Sequence, residues 1–145
     1  MIYQVDDLLQ EVKAVIDKNE VLQQGVTLVG RIKHEELPDW FSSADFYLSG
    51  SHNETAGCAL LEGMACGCIP VVTNIPSFRK ITSEGELGFL YEPGSPDSLY
   101  NALSQLRSVQ REEMSEKILA HFQTKLSFKA IADNLFHVCT SVLSK

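Results

Sequence analysis

Two glutamates, Glu54 and Glu62, stand eight positions apart in the segment DFYLSGSHNETAGCALLEGMACGCIPVV, residues 45–72. A pair of carboxylates can accept hydrogen bonds from hydroxyl groups, or it can flank a scissile glycosidic bond, where hydrolases hold the two carboxyl groups about 5–9.5 Å apart. The seven residues between them open with Thr55, Ala56 and Gly57. So small a start lets a ligand's oxygens come close to free backbone N–H groups. Those donors, together with the helix dipole, favour a diphosphate there. The ordinary reading of the same residues is a solvated loop acid at Glu54 and a helix-surface acid at Glu62.

The elements that must position these groups follow from pattern. Residues 46–48 are a short aromatic and aliphatic run and residues 49–55 are small and polar, so the chain leaves a sheet at that point. Gly57 then opens a helix through about Cys66, closed by Gly67, which suits a left-handed position after the helix. The apolar run after it is a second buried strand. This is a βαβ unit, and an open α/β sheet places its ligand crevice at the carboxyl ends of its strands. At roughly 1.5 Å per residue, Glu62 lies about 7.5 Å along the helix axis from Gly57. That distance lets it reach ribose hydroxyls beside a diphosphate seated at the helix start.

The stretch N-E-T-x-G-x-x-L-L-E-G-M-A-C-G-x-I-P-V-V, residues 53–72, resembles the signature of retaining nucleotide-sugar glycosyltransferases of the GT-B fold, in the large glycosyl transferases group 1 family. The resemblance implies an α/β, Rossmann-like, doubly wound parallel sheet with flanking helices. It implies that residues 1–145 form a single C-terminal donor-binding domain lacking its first strand, with the core match over 26–106 and C-terminal helices over 107–145. It assigns both acids to binding hydroxyls rather than to hydrolysis. Glu54 would hold the transferred sugar as the catalytic-site acid, Glu62 the ribose, and Thr55, Ala56, Gly57 and Cys58 the diphosphate. In relatives, the segment resembling L-V-G-R-I-K-H-E-E-L lies beside the nucleobase, so Arg31 is a candidate for base or ribose and equally an exposed charge flanking a strand. His52, in the loop before Glu54, is a candidate contact to donor or acceptor.

The implied reaction moves a sugar from a nucleotide diphosphate-sugar to a saccharide or lipid-linked acceptor with retention of configuration. Neither metal nor cofactor is implied. The acceptor would bind through an N-terminal domain that the chain does not contain. In relatives the region of the first strand supplies an arginine and a lysine that neutralise the diphosphate, and residues 1–3 resemble the tail of the second strand. The chain alone is therefore expected to be inactive, and its unpaired sheet edge is expected to be relieved by strand rearrangement, domain exchange or homo-oligomerisation. The alternatives are a nucleotide-sugar epimerase on the same fold and a non-catalytic nucleotide-sugar-binding or interaction domain. Two departures from the pattern are Ala56, where many relatives carry an aromatic residue, and Gly63, where alanine or serine is common.

Composition agrees with an ordinary globular domain: 145 residues, 44% hydrophobic and 21% charged, long enough for one sizeable core. A net charge of −7 disfavours nucleic acid and anionic membrane surfaces, which are drawn to clustered Lys and Arg. The basic groups nearest the proposed site in sequence are Arg31, Lys33, Arg79 and Lys80. No apolar run approaches the roughly 20 residues that span a bilayer. Cys58, Cys66, Cys68 and Cys139 form no zinc-type pairing, which with the absence of a signal peptide points to a reducing, cytoplasmic setting, membrane association of the full-length enzyme being left open. Cys58 and Cys66 are expected to pack as small apolar residues.

Elsewhere, apolar residues at 5, 8, 9, 12, 15 and 16 have helical spacing, 26–29 read as a buried strand, and a short helix carries Leu37, Trp40, Phe41 and Ala44 with Pro38 in its first turn. A short helix with Phe78 and Ile81, a strand over 88–91, a helix with Leu99, Ala102, Leu103 and Leu106, and a helical segment over 112–122 follow. Ser127 caps a long helix whose stripe of Phe128, Ile131, Leu135, Phe136, Cys139, Val142 and Leu143 reads as a packing face. In GT-B enzymes such a helix commonly crosses back toward the other domain, so part of this face is expected to be exposed here. The four histidines are too scattered for a metal site.

Overall fold

A computed structural model describes residues 5–143. The chain forms two compact units, residues 1–33 and 34–145. The expected strand tail over residues 1–3 lies outside the described residues.

The first unit is built from α1 (Val5–Asp17) and α2 (Glu20–Gly25). Asn19 lies between α1 and α2. Its Oδ1 accepts from the amides of Val21 at 3.0 Å and Leu22 at 3.2 Å, capping α2, whose orphan amides need such a partner. The apolar stripe of α1 lines a groove with Leu22 and Val26. The strand expected over 26–29 does not form. Val26 has extended backbone (φ −117°, ψ 124°), yet among the described residues no strand pairs with this segment. Extended residues without a ladder partner remain loop, whatever their β propensity.

The second unit begins with a 3-10 turn, His34–Glu36, and continues through α3 (Leu37–Ser42), β1 (Phe46–Ser49), α4 (Cys58–Ala65), β2 (Ile69–Thr73), α5 (Pro76–Ile81) and β3 (Phe89–Tyr91). Next come α6 (Pro96–Gln105), α7 (Arg111–His121) and α8 (Phe128–Leu143), with a π-turn at Phe122–Leu126 before the last helix. The three strands are parallel in the order β1-β2-β3, with Leu48 beside Val71 and Thr73 beside Tyr91. Parallel strands need crossovers, which α4 and α5 supply.

β2 is buried at every residue, as expected of a central strand covered on both faces. Val72 joins Leu60 and Met64 of α4, Ile75, Phe78 of α5 and Ile118 of α7 in the larger core. Val71 joins Tyr91 of β3 and Ala102 of α6 in the smaller one. Helices on both faces of a parallel sheet make this an α/β fold of the doubly wound kind. Gly67, at φ +85°, ends α4 in the left-handed conformation that its position predicts. Ser127 caps α8 through its Oγ, which accepts from the Ala130 amide at 3.1 Å.

The stripe of α8, read as a packing face with part of it exposed, is exposed more widely than that: Phe128, Ile131, Leu135, Phe136, Val142 and Leu143 all face out and no described residue of the helix is fully buried. The periodicity is that of an amphipathic helix, but nothing among the described residues covers its apolar side.

Candidate functional site

Because the strands run parallel, Ser49, Thr73 and Tyr91 bring their carboxyl ends to one edge of the sheet. The loop leaving β1 is tied there by two side chains of the neighbouring strands. Tyr91 Oη donates to the Ser49 carbonyl at 2.8 Å, and Thr73 Oγ1 donates to the Ser51 carbonyl. The Asn74 amide donates to the Tyr91 carbonyl at 2.7 Å, while its side-chain amide donates to Glu92 at 2.8 Å. His52 lies against Gly94, where an added Cβ would stand 3.5 Å from the imidazole Cε1. Glu54 follows on this loop and is exposed.

At the loop's far end Gly57 takes a left-handed conformation, φ 61° and ψ 39°, as the N-cap of α4. No side chain caps the helix at this residue, so the first-turn amides remain open to an outside acceptor. The reason for glycine is twofold. A side chain at positive φ is strained, and a Cβ here would meet Ile81 Cδ1 at 3.0 Å and Phe78 Cε1 at 3.2 Å. Thr55, Ala56 and Cys58 flank this residue and are exposed. Exposure of Cys58 corrects the expectation that it packs in the interior. Cys68 is the buried thiol, pushed up in pKa chiefly by that burial, and Cys66 is half-buried.

Glu62 is half-buried on α4. Tyr47 packs beneath α4, where a Cβ on Gly63 would lie 3.5 Å from its ring. Burial raises the Tyr47 pKa, the Ser49 hydroxyl partly offsets this, and the charges of Glu54 and Glu62 raise it further. Both carboxylates are thus felt by one phenol.

Beside Glu62 opens a pocket of about 230 Å³, lined by His34, Leu37, Pro38 and Phe41 on one side and Ala65 and Cys66 on the other. Its lining is mostly apolar, with one carboxylate at the edge, which suits a flat heterocycle carrying a hydroxylated sugar. His34 and Leu37 belong to the segment read as resembling the one beside the nucleobase, and Leu37, Pro38 and Phe41 to the short helix at its end, but none of them was named as a contact of the ligand. Thr73 and Tyr91 were missed as well, because a strand-end hydroxyl has no motif. A second cavity, of about 220 Å³, lies at the opposite end of β1 and β2, where Arg111 and Asp45 pair at 2.6 Å.

Arg31 is exposed and belongs to the first unit. Arg79 is engaged with Glu84 at 2.6 Å. Among the described residues no group of three or more His, Cys, Asp or Glu side chains comes together as a metal site, and no helix is long and apolar enough to cross a membrane.

The family model described as "Glycosyl transferases group 1" matches residues 8–120. A D-inositol 3-phosphate glycosyltransferase of Thermomonospora curvata is 31% identical over 106 residues, covering 72% of this chain and 24% of the relative. Sulfoquinovosyl transferase SQD2 of Arabidopsis thaliana is 30% identical over 94 residues, covering 62% of this chain and 18% of the relative. Among solved structures, the C-terminal domain of a glycosyl transferase group 1 family protein from Francisella tularensis superposes with a TM-score of 0.73 at 26% identity, over 84% of this chain and 64% of that one. Sucrose-phosphate synthase from Thermosynechococcus elongatus shares the fold, with a TM-score of 0.74 at 22% identity over 93% of this chain and 34% of that one. The chain spans 22–30% of the length of the first curated relatives it matches.

Proposed function

The chain belongs to the glycosyl transferases group 1 family, and from that premise we propose that it is the donor-binding part of a retaining glycosyltransferase that uses a nucleotide diphosphate-sugar. The observation that carries this reading is the placement of Glu62 on α4 at the edge of an apolar pocket, with the uncapped helix start at Gly57 and the loop bearing Glu54 immediately before it. In this reading the pocket of His34, Leu37, Pro38 and Phe41 takes the nucleobase, Glu62 accepts from the ribose hydroxyls, the amides of Gly57 and Cys58 receive the diphosphate, and Glu54 accepts from a hydroxyl of the sugar. His52 is a secondary contact, to the sugar.

The chemistry asked of these groups is modest and specific. Amides aimed at the diphosphate stabilise the charge that grows on the leaving group, without reorganising as it forms. Glu54 fixes the sugar's orientation, so that the anomeric carbon meets the acceptor in one pose. The acceptor is a saccharide or lipid-linked hydroxyl held by a second domain. In this proposal the residues of this chain supply the donor side of the reaction.

The test is calorimetric titration of the chain with UDP, GDP and ADP, beside Glu62→Gln. One nucleotide is expected to saturate, and the variant to bind it about tenfold or more weakly, the worth of hydrogen bonds to a charged acceptor. Equal affinity in the variant, or no binding by a folded chain, would overturn the assignment.

A further inference from the structure

We propose that Tyr91 and Thr73 are positioning residues, which hold the β1–α4 loop so that Glu54 and His52 meet the sugar of the donor. The proposal rests on the donor-site reading above and adds to it a device built from two neighbouring strands.

The loop between Ser49 and Gly57 is small and polar, with Gly50 and Ser51 at its start. Such a sequence has little side-chain bulk to hold its own conformation. Its first residues are instead pinned from below. Tyr91, 6% exposed at the end of β3, crosses the end of β2 to donate to the Ser49 carbonyl at 2.8 Å. Thr73, 1% exposed at the end of β2, donates to the Ser51 carbonyl. The two acceptors flank Gly50, where an added Cβ would stand 3.4 Å from Tyr91 Oη. His52 comes next and rests against Gly94 of the turn after β3. Two hydrogen bonds therefore fix the backbone over Ser49–Ser51, and Glu54 lies three residues further on, within about 11 Å of chain.

Burial explains why these hydroxyls are dependable donors. It raises the Tyr91 pKa, so the phenol keeps its proton, and a buried hydroxyl deprived of its acceptor would go unpaired. Neither residue needs to touch the ligand. What they supply is the order of a segment whose own residues do not impose it, and order before binding is affinity that need not be lost to freezing the loop.

The experiment uses the chain with Tyr91→Phe, Thr73→Val and the double variant, each keeping side-chain shape and deleting a hydroxyl. Backbone ¹⁵N order parameters over residues 50–55 are measured first, without nucleotide. Then UDP, GDP and ADP are titrated beside their glucose, galactose, mannose and N-acetylglucosamine conjugates. In the wild type the loop is expected near the rigid value of about 0.85, and in the double variant it is expected to fall toward about 0.6 while β2 and α4 hold. The advantage of the sugar conjugate over the bare diphosphate is expected to shrink about threefold to tenfold for each hydroxyl lost, with affinity for the bare diphosphate unchanged. A merely structural role would weaken both ligands alike or neither.

Unchanged order parameters would overturn the clamp, and so would parallel losses for bare and conjugated nucleotide. A wild-type chain that gains nothing from any of the sugars would also overturn the positioning role. Failure of the donor reading looks different. In that case Glu62→Gln leaves nucleotide affinity intact while the order parameters still report on the loop.

Discussion

Two glycines of α4 make opposite predictions for the same substitution. Gly57 stands at φ +61°, and a Cβ there would lie 3.0 Å from Ile81 Cδ1 and 3.2 Å from Phe78 Cε1. Alanine in the left-handed conformation costs about 1–2 kcal/mol. Ile81 can swing its terminal methyl aside, but the Phe78 ring is fully buried and must shift against its neighbours. Taking the low end of the overpacking range, about 1 kcal/mol, Gly57→Ala should cost about 2–3 kcal/mol. Gly63 lies inside the helix at ordinary φ, and its Cβ would meet Tyr47 at 3.5 Å, an unforced contact. Replacing glycine by alanine in a helix interior is worth about 0.8–1 kcal/mol, so Gly63→Ala should stabilise by up to that amount. Urea denaturation reads both. With a slope of roughly 1.5 kcal/mol per molar, the first variant should lose about 1.3–2 M of midpoint and the second gain about 0.5 M, at unchanged slope. A Gly57→Ala midpoint within about 0.3 M of the wild type, or a lowered midpoint for Gly63→Ala, would refute the packing argument.

Further outcomes follow from the same geometry. Ile118 of α7 is fully buried against Leu60, Met64 and Val72, so Ile118→Ala should cost about 2–5 kcal/mol by denaturation, through lost transfer energy and a residual cavity. Lys117 Nζ donates to Glu113 at 2.7 Å, and this hydrogen bond, then the lysine's charge, holds the Glu113 carboxyl below the usual glutamate range. The sign follows. The pair's contribution is present above the ordinary glutamate pKa and is lost as pH falls through the depressed value. An NMR titration should show Glu113 protonating below an unperturbed glutamate, and Lys117→Met should return it to normal. Weakening by Glu62→Gln, and loss of the sugar's advantage in the hydroxyl-deletion variants, complete the set.

Residues 45–72 carried most of what sequence alone determined. Alternation between apolar runs and small polar loops marks β1, α4 and β2, and the left-handed glycine closing α4 is legible because only local sterics choose that residue. Helix limits and caps, such as Ser127 before α8, depend on neighbours within a turn and are equally readable. What could not be read is whatever depends on a distant partner. Residues 26–29 have strand-forming side chains but no paired strand among the described residues, and a strand exists only as one half of a ladder. The stripe of α8 shows an amphipathic helix without showing whether anything covers it. Cys58 and Cys68 look alike in sequence, yet one is exposed and the other buried, because burial depends on which elements pack over each. Tyr91 and Thr73 reach the β1 loop only because parallel pairing brings three strand ends to one edge. Their hydrogen bonds span 42 and 22 residues of chain, and a contact of that separation leaves no trace in local pattern, so it is decided by the tertiary structure alone.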